Sequence, residues 1–272
     1  MHYMKKNLPF GSEEAIAFSE ECAEVLAYET ISASCELSEQ YGPCDIYSET
    51  EWSKGKLPFD NASNVPVQHL DWDGLRNRIK LHGVRNAYMN ACSPTRKIAR
   101  LLSCYPELSP ATKNVFTKRF DDNYEMMIIS PELVRILKRT GVWNKSIHKQ
   151  IRYFDGDLAA IDEIPDNIKD VFATAYMIDS AAIIDGAARR QQWIDQSQSF
   201  RLFLGSPNLR NLSAMFVSAW KKGIKGVYEV KSAGFFSNSA SSGVKSLTTI
   251  QNNTHDSAYH LMNVLDNFRL GK

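Results

Sequence analysis

The chain has 272 residues, 43% of them apolar and 23% charged, and a formal net charge of +1. That length can hold one large domain or two small ones with a sizeable core, and the composition is that of an ordinary globular protein. The charge excludes the basic excess of a nucleic-acid binder, and no apolar run approaches the roughly 20 residues that cross a bilayer.

The opening stretch, MHYMKKNLPFGSEE, has no apolar run behind its lysines, so no signal peptide is expected. A cytoplasmic protein with neither nucleic acid nor membrane among its partners follows as the expectation. The five cysteines are Cys22, Cys35, Cys44, Cys92 and Cys104, without a C-x-x-C pair. An odd, scattered set predicts reduced, mostly buried thiols, with no zinc site and no cofactor in this chain.

Ser12-Glu13-Glu14 predicts a capped helix start. Ala15, Phe18, Cys22, Val25, Leu26 and Ile31 then recur at helical spacing, up to Gly42-Pro43. Residues 43–70 read as loop. Trp72 to Leu81 reads as a second helix closed by Gly83. Val84 to Cys92 is strand-like and Ser93-Pro94 breaks it, with an irregular loop to about Pro110. Strands are expected at Val115–Phe120 and Met126–Ile129.

Ser130-Pro131-Glu132 starts a helix that ends at Gly141. Helices are also expected at Asp166–Tyr176 and Asp179–Gln196, then a strand at Phe200–Leu204. A helix from Ser206-Pro207 to Lys222 precedes a strand at Ile224–Val230. This order favours α/β with a largely parallel sheet. Residues 232–256 turn rich in Ser, Asn, Gly and Thr and read as a flexible linker. Residues 257–272 read as a short amphipathic tail helix carrying Ala258, Leu261, Met262, Leu265 and Phe268.

Several stretches resemble the large (α) subunit of class I ribonucleotide reductases. They are YETISASCELSEQYGPC at 28–44, EWSKGKLPFD at 51–60, LDWDGLRNRIKLHGVRNA at 70–87 and ELVRILKRTGVWN at 132–144. IDEIPDNIKDVFATAYMID at 161–179, AARRQQWIDQSQSFRLFL at 187–204 and SAWKKGIKGVYEV at 218–230 complete the set. The resemblance runs in order over about residues 1–230. It implies an α/β fold, a partial (half) ten-stranded α/β barrel of the ribonucleotide reductase type with flanking helices. Residues 1–231 would be the C-terminal half of that barrel. The first half, the regulatory region and the finger loop would lie outside the chain.

A part-barrel exposes strand edges that invite pairing. The expected partner is an N-terminal reductase chain or another copy of this chain, with the reductase small subunit as a further candidate.

The family reduces ribonucleoside diphosphates through a cysteine thiyl radical, reached by a tyrosine dyad and recharged by a C-terminal cysteine pair. None of the five cysteines matches the radical cysteine, and the C-terminal tail has none. In Gly223-Ile224-Lys225-Gly226-Val227-Tyr228-Glu229, Tyr228 matches the first relay tyrosine and Glu229 stands where the second would be. A carboxylate is not a readily oxidised hopping station, so the relay would be cut. Tyr228 is then either a residual relay residue or a strand aromatic.

The family's substrate-phosphate loop is matched by Ser93-Pro94-Thr95-Arg96-Lys97-Ile98-Ala99. Thr95, Arg96 and Lys97 are the candidate phosphate contacts, or else part of a solvated basic turn. Trp193 to Ser199 follows the family closely and reads as framework, with Asp195 capping or orienting backbone. Arg189 and Arg190 read as a charged helix face, and His255 and His260 as solvated. Two functions stay open: a structural or interaction protein, inactive alone, and one chain of a split reductase that works only when assembled.

Overall fold

Ser12 caps the first long helix as its hydroxyl accepts from the Ala15 N–H at 3.2 Å, and Glu13 and Glu14 sit against the positive end of the helix. In the computed structural model, residues 2–62, 66–102, 104, 105, 107–121, 124–206 and 208–233 are described. They belong to one unit, Met1–Ala233. The expected linker beyond Ala233, the tail helix, His255 and His260 lie outside the described residues.

A short helix α1 (His2–Lys6) precedes α2 (Glu13–Tyr41). Gly42 stops α2 at φ 81°, and its N–H returns to the Ser38 carbonyl. The expected loop that follows holds three 3-10 turns, Tyr47–Glu49, Glu51–Lys54 and Pro58–Asn61. Helix α3 (Trp72–His82) is capped by Asp71 and ends at Gly83. Helix α4 (Arg96–Leu101) lies where irregular loop was expected, and Ala99 anchors it in the interior.

Strands β1 (Val115–Asp121) and β2 (Tyr124–Ile129) form an antiparallel hairpin. Helix α5 (Pro131–Arg139) follows, then α6 (Lys145–Tyr153) and α7 (Asp166–Val171). Helix α8 (Ser180–Gln191), β3 (Arg201–Leu204), α9 (Leu209–Lys221) and β4 (Glu229–Ser232) complete the order. β3 and β4 pair in parallel, Arg201 opposite Glu229.

The expectation of a largely parallel sheet is corrected: among the described residues, one two-stranded sheet is antiparallel and the other parallel. Residues 84–92 are not a strand, because their backbone groups are taken elsewhere. Arg85 N–H goes to the Ser34 carbonyl, Asn86 N–H to Ser34 Oγ, and the Ala87 carbonyl to Trp52 Nε1. Only Cys92 reaches a ladder, as a parallel bridge to Gln198. Three segments of parallel character thus lie side by side in the order Cys92, Gln198–Leu204, Glu229–Ser232.

Helix α6 went unread in the sequence, although Asn144 caps it and Ile147 and Ile151 bury one face at i, i+4 spacing. Helices α7 and α8 both end about five residues earlier than expected, and β4 begins at Glu229 rather than Ile224. Asn208, not Ser206, caps α9.

Among the described residues, three cores hold these elements. Leu133, Leu137, Ile147, Ile151 and Ile161 are fully buried around the hairpin and α5–α7. Ile184, Ala187, Leu202 and Ala219 join α8, β3 and α9. Trp52, Phe59, Trp72 and Trp193 fill the space around α2 and α3, with Trp72 and Trp193 stacked at 5.5 Å. The thiols depart from expectation: Cys35 is buried, Cys22 is exposed, and Cys44, Cys92 and Cys104 are partly exposed. Among the described residues, no helix is long and apolar enough to cross a membrane.

Candidate functional site

The three parallel segments are drawn together by backbone bonds. Gln196 N–H donates to the Asn90 carbonyl at 3.2 Å, Cys92 N–H to Ser197 at 2.9 Å and Ser199 N–H to Cys92 at 2.7 Å. On the other side Tyr228 N–H donates to the Phe200 carbonyl at 2.8 Å. Asp195 fixes the first segment, because its two carboxylate oxygens accept the N–H groups of Met89 and Asn90, each at 2.7 Å. Lys225 Nζ donates to the Asp195 carbonyl at 2.5 Å, which ties the approach to β4 to the same corner. Burial holds the Lys225 ammonium below its usual value, and the Asp195 charge opposes that shift.

At this level the chain turns out of the 90–92 segment into the loop that begins α4. Thr95 starts the helix, its carbonyl accepting from Ala99 N–H at 2.8 Å. Pro94, Thr95, Lys97 and Ile98 from this loop, with Tyr228 and Glu229 from the other segment, line one open depression of about 830 Å³. The structure therefore gathers three sequence candidates, Thr95, Lys97 and Tyr228, at one place. The Arg96 side chain lies outside the described residues.

Sequence reasoning did not foresee Arg201. It is completely buried, at 0% exposure, yet cationic. Its Nε donates to Glu229 Oε2 at 2.7 Å, and its Nη1 is in ion-pair contact with Glu107. Its guanidinium carbon lies 5.2 Å from the centre of the Tyr228 ring, within cation–π range. Glu229 also has Lys231 Nζ at 3.8 Å. Burial first, and then the nearby Glu229 charge, push the Tyr176 phenol upward. Tyr228 itself is 59% exposed and lies over the depression rather than packing as a core strand aromatic. The signal for Arg201 was a charge inside the run Phe200 to Leu204, where a buried strand rarely keeps one without a partner.

Arg190 is corrected as well. It is 8% exposed and donates to Gln198 Oε1 at 3.3 Å and Ser19 Oγ at 3.2 Å. Burial lowers its pKa. Only Arg189 keeps the surface role, paired with Glu13 and Glu20 at 2.5 Å each. Helical spacing could not separate the two, because α8 packs against α2 on the side that takes Arg190.

The family model described as "Ribonucleotide reductase, barrel domain" matches residues 1–230. This chain belongs to the ribonucleotide reductase barrel-domain family. It is 34% identical over 241 residues to the ribonucleoside-diphosphate reductase subunit alpha of Chlamydia trachomatis, covering 84% of this chain and 23% of that protein. It is 33% identical over 230 residues to the large subunit of Caenorhabditis elegans, covering 84% of this chain and 29% of that one. Among solved structures, the class Id ribonucleotide reductase alpha subunit of Actinobacillus ureae is similar in fold. The TM-score is 0.62 at 24% identity, over 85% of this chain and 36% of that one. The chain therefore spans about a quarter of the length of the curated relatives it matches. Its α/β architecture is part of the reductase barrel, to which β3 and β4 contribute a parallel strand pair and Cys92 and Gln198 a parallel bridge beside it.

Proposed function

We propose that this reductase barrel module does not reduce ribonucleotides alone and serves as a structural or interaction component of a larger assembly. The observation that carries this reading is the Arg201–Glu229 ion pair. The position where the relay resemblance calls for a second tyrosine holds a carboxylate already committed to a buried guanidinium at 2.7 Å. A carboxylate is not a readily oxidised hopping station, and the ion pair gives Glu229 a structural task instead. The partner is an N-terminal reductase chain or another copy of this chain, placed against the outer edge of β4. Val230 there is 38% exposed, and no further strand pairs with β4 among the described residues.

One observation favours a second reading, a split reductase that works when assembled. Thr95 and Lys97, the phosphate-loop candidates, share the depression with Tyr228. A hydroxyl and an ammonium beside an aromatic ring suit a nucleoside diphosphate. In that reading the radical cysteine, the effector nucleotides and the small subunit's radical cofactor belong to other chains.

Mixing the purified chain with ribonucleoside diphosphate and a dithiol reductant tests the first reading, which expects no deoxynucleotide. Deoxynucleotide formation by the chain alone overturns it. Adding an N-terminal reductase chain and a small subunit separates the two readings. Activity that disappears in Tyr228→Phe supports the split enzyme, whereas a stable but inactive complex supports the structural role. Light scattering that finds a monomer unable to bind either chain removes both.

A further inference from the structure

We propose that His69 and Glu24 form a proton-operated clasp that fastens the strap of residues 66–71 to helix α2. The inference is independent of the functional reading above. Glu24 lies on the inward side of α2 and is 1% exposed. Its Oε1 accepts from His69 N–H at 2.7 Å and Trp72 Nε1 at 3.0 Å, and its Oε2 meets His69 Nδ1 at 2.8 Å. A buried carboxylate is costly unless donors and a counter-charge accompany it. Among the described residues, the only cationic group within ion-pair distance of Glu24 is the His69 ring. The counter-charge of a buried anion is therefore a side chain that titrates near neutrality. That ring is 65% exposed, so it exchanges protons freely with solvent.

The surrounding charges all favour the protonated ring. Glu24 raises the His69 pKa, first through the hydrogen bond and then through its charge, and Glu21 and Glu20 add to the same direction. Glu20 is itself bound to Arg189 at 2.5 Å. From the other side, α3 begins with Asp71 and Asp73, and Asp71 is engaged in capping the Gly74 N–H at 2.9 Å. The strap has no Lys or Arg of its own between Pro66 and Asp71. For Glu24, burial pushes the pKa up, but the donors from His69 and Trp72 outweigh it and hold the carboxyl below its usual value.

The signs define a window. A raised His69 pKa means that the ion pair contributes fully below the ordinary imidazole value and is lost as pH rises through the raised value. A lowered Glu24 pKa means that its contribution is lost as pH falls through the lowered value. The clasp is closed in mildly acid solution and loosens towards alkaline pH. What it holds is not peripheral. Trp72 shares Glu24 Oε1 with the strap and stacks on Trp193, while Tyr28 and Phe59 meet its ring edge-on at 5.3 and 4.9 Å.

The test uses the full chain with labelled histidine. The His69 ring resonance, assigned through His69→Asn, should titrate above the ordinary imidazole value of about 6.5. In Glu24→Gln the midpoint should fall back to that value. Because Glu24→Gln alters a buried site, urea unfolding of wild type and His69→Asn provides a second reading. The stability margin of wild type over His69→Asn should shrink between about pH 5.5 and about pH 9, as imidazole deprotonates. A His69 midpoint at or below about 6.5, or a margin that does not change with pH, overturns the proposal.

Discussion

Arg201 and Glu229 stand opposite each other across the β3–β4 ladder, and their side chains close the pair at 2.7 Å beneath the exposed ring of Tyr228. One residue is fully buried and the other 40% exposed, so the pair joins the interior to the wall of the depression. Glu107, 9% exposed, completes the cluster from the segment that follows α4.

Arg201→Met should be among the most damaging single changes in the chain. It removes the fully buried guanidinium that Glu229 and Glu107 share, and removing one member of a buried ion pair costs about 3–5 kcal/mol. Urea unfolding of the purified variant reads this loss. A cost under about 1 kcal/mol would mean that the cluster is effectively solvated.

Glu229→Gln should be mild, because Glu107 still neutralises Arg201 and the amide oxygen can still accept from Nε. A loss of about 1 kcal/mol is expected. Glu229→Tyr should cost more than Glu229→Gln, since a phenol is a poor partner for the guanidinium. It should also produce no deoxynucleotide with the chain alone. Paired unfolding curves and a product assay check both statements.

Asp195→Ala removes the acceptor of two backbone N–H groups at 2.7 Å. Hydrogen bonds to a charged group contribute roughly 1.5–3 kcal/mol each, so a loss of about 2 kcal/mol or more is expected. Amide hydrogen exchange should quicken first at Met89 and Asn90. Unchanged protection there would show that water replaces the carboxylate without cost.

Asp60 makes a pH prediction. Its carboxylate takes Arg76 at 2.7 and 2.9 Å and the Leu57 N–H at 2.8 Å. Arg76 holds the Asp60 pKa below the usual carboxylate value, burial opposes this, and the Leu57 N–H assists it. With a lowered folded pKa, the stabilisation is present above the unfolded value of about 3.9 and disappears as pH falls through the folded one. Asp60→Asn should therefore lose about 1 kcal/mol at neutral pH and show a flatter acid limb than wild type. Parallel acid limbs would contradict the assignment.

Much of the architecture was legible because its cues are local. Ser12 and Gly42 bracket α2, Asp71 and Gly83 bracket α3, and the apolar spacing between them is helical. The reductase resemblance, spread over many stretches, implied the partial α/β barrel. The errors arose where distant groups compete for the backbone. Residues 84–92 have strand-like composition, but Ser34, Trp52 and Asp195 capture their N–H and C=O groups. Arg190 carries the same charge as Arg189, and only the packing of α8 on α2 decides which of them is buried.

The sequence by itself determined the family, the helix limits set by caps and glycines, and the absence of a second tyrosine beside Tyr228. These depend on residue identity and on neighbours a few positions away. Only the tertiary structure decided that Thr95, Lys97 and Tyr228 share one depression and that Arg201 holds Glu229 and Glu107. It alone revealed that a buried glutamate relies on a histidine 45 positions along the chain. The physical reason is that the cost of burying a charge depends on which opposite charge folding brings within reach, and linear order does not record that distance.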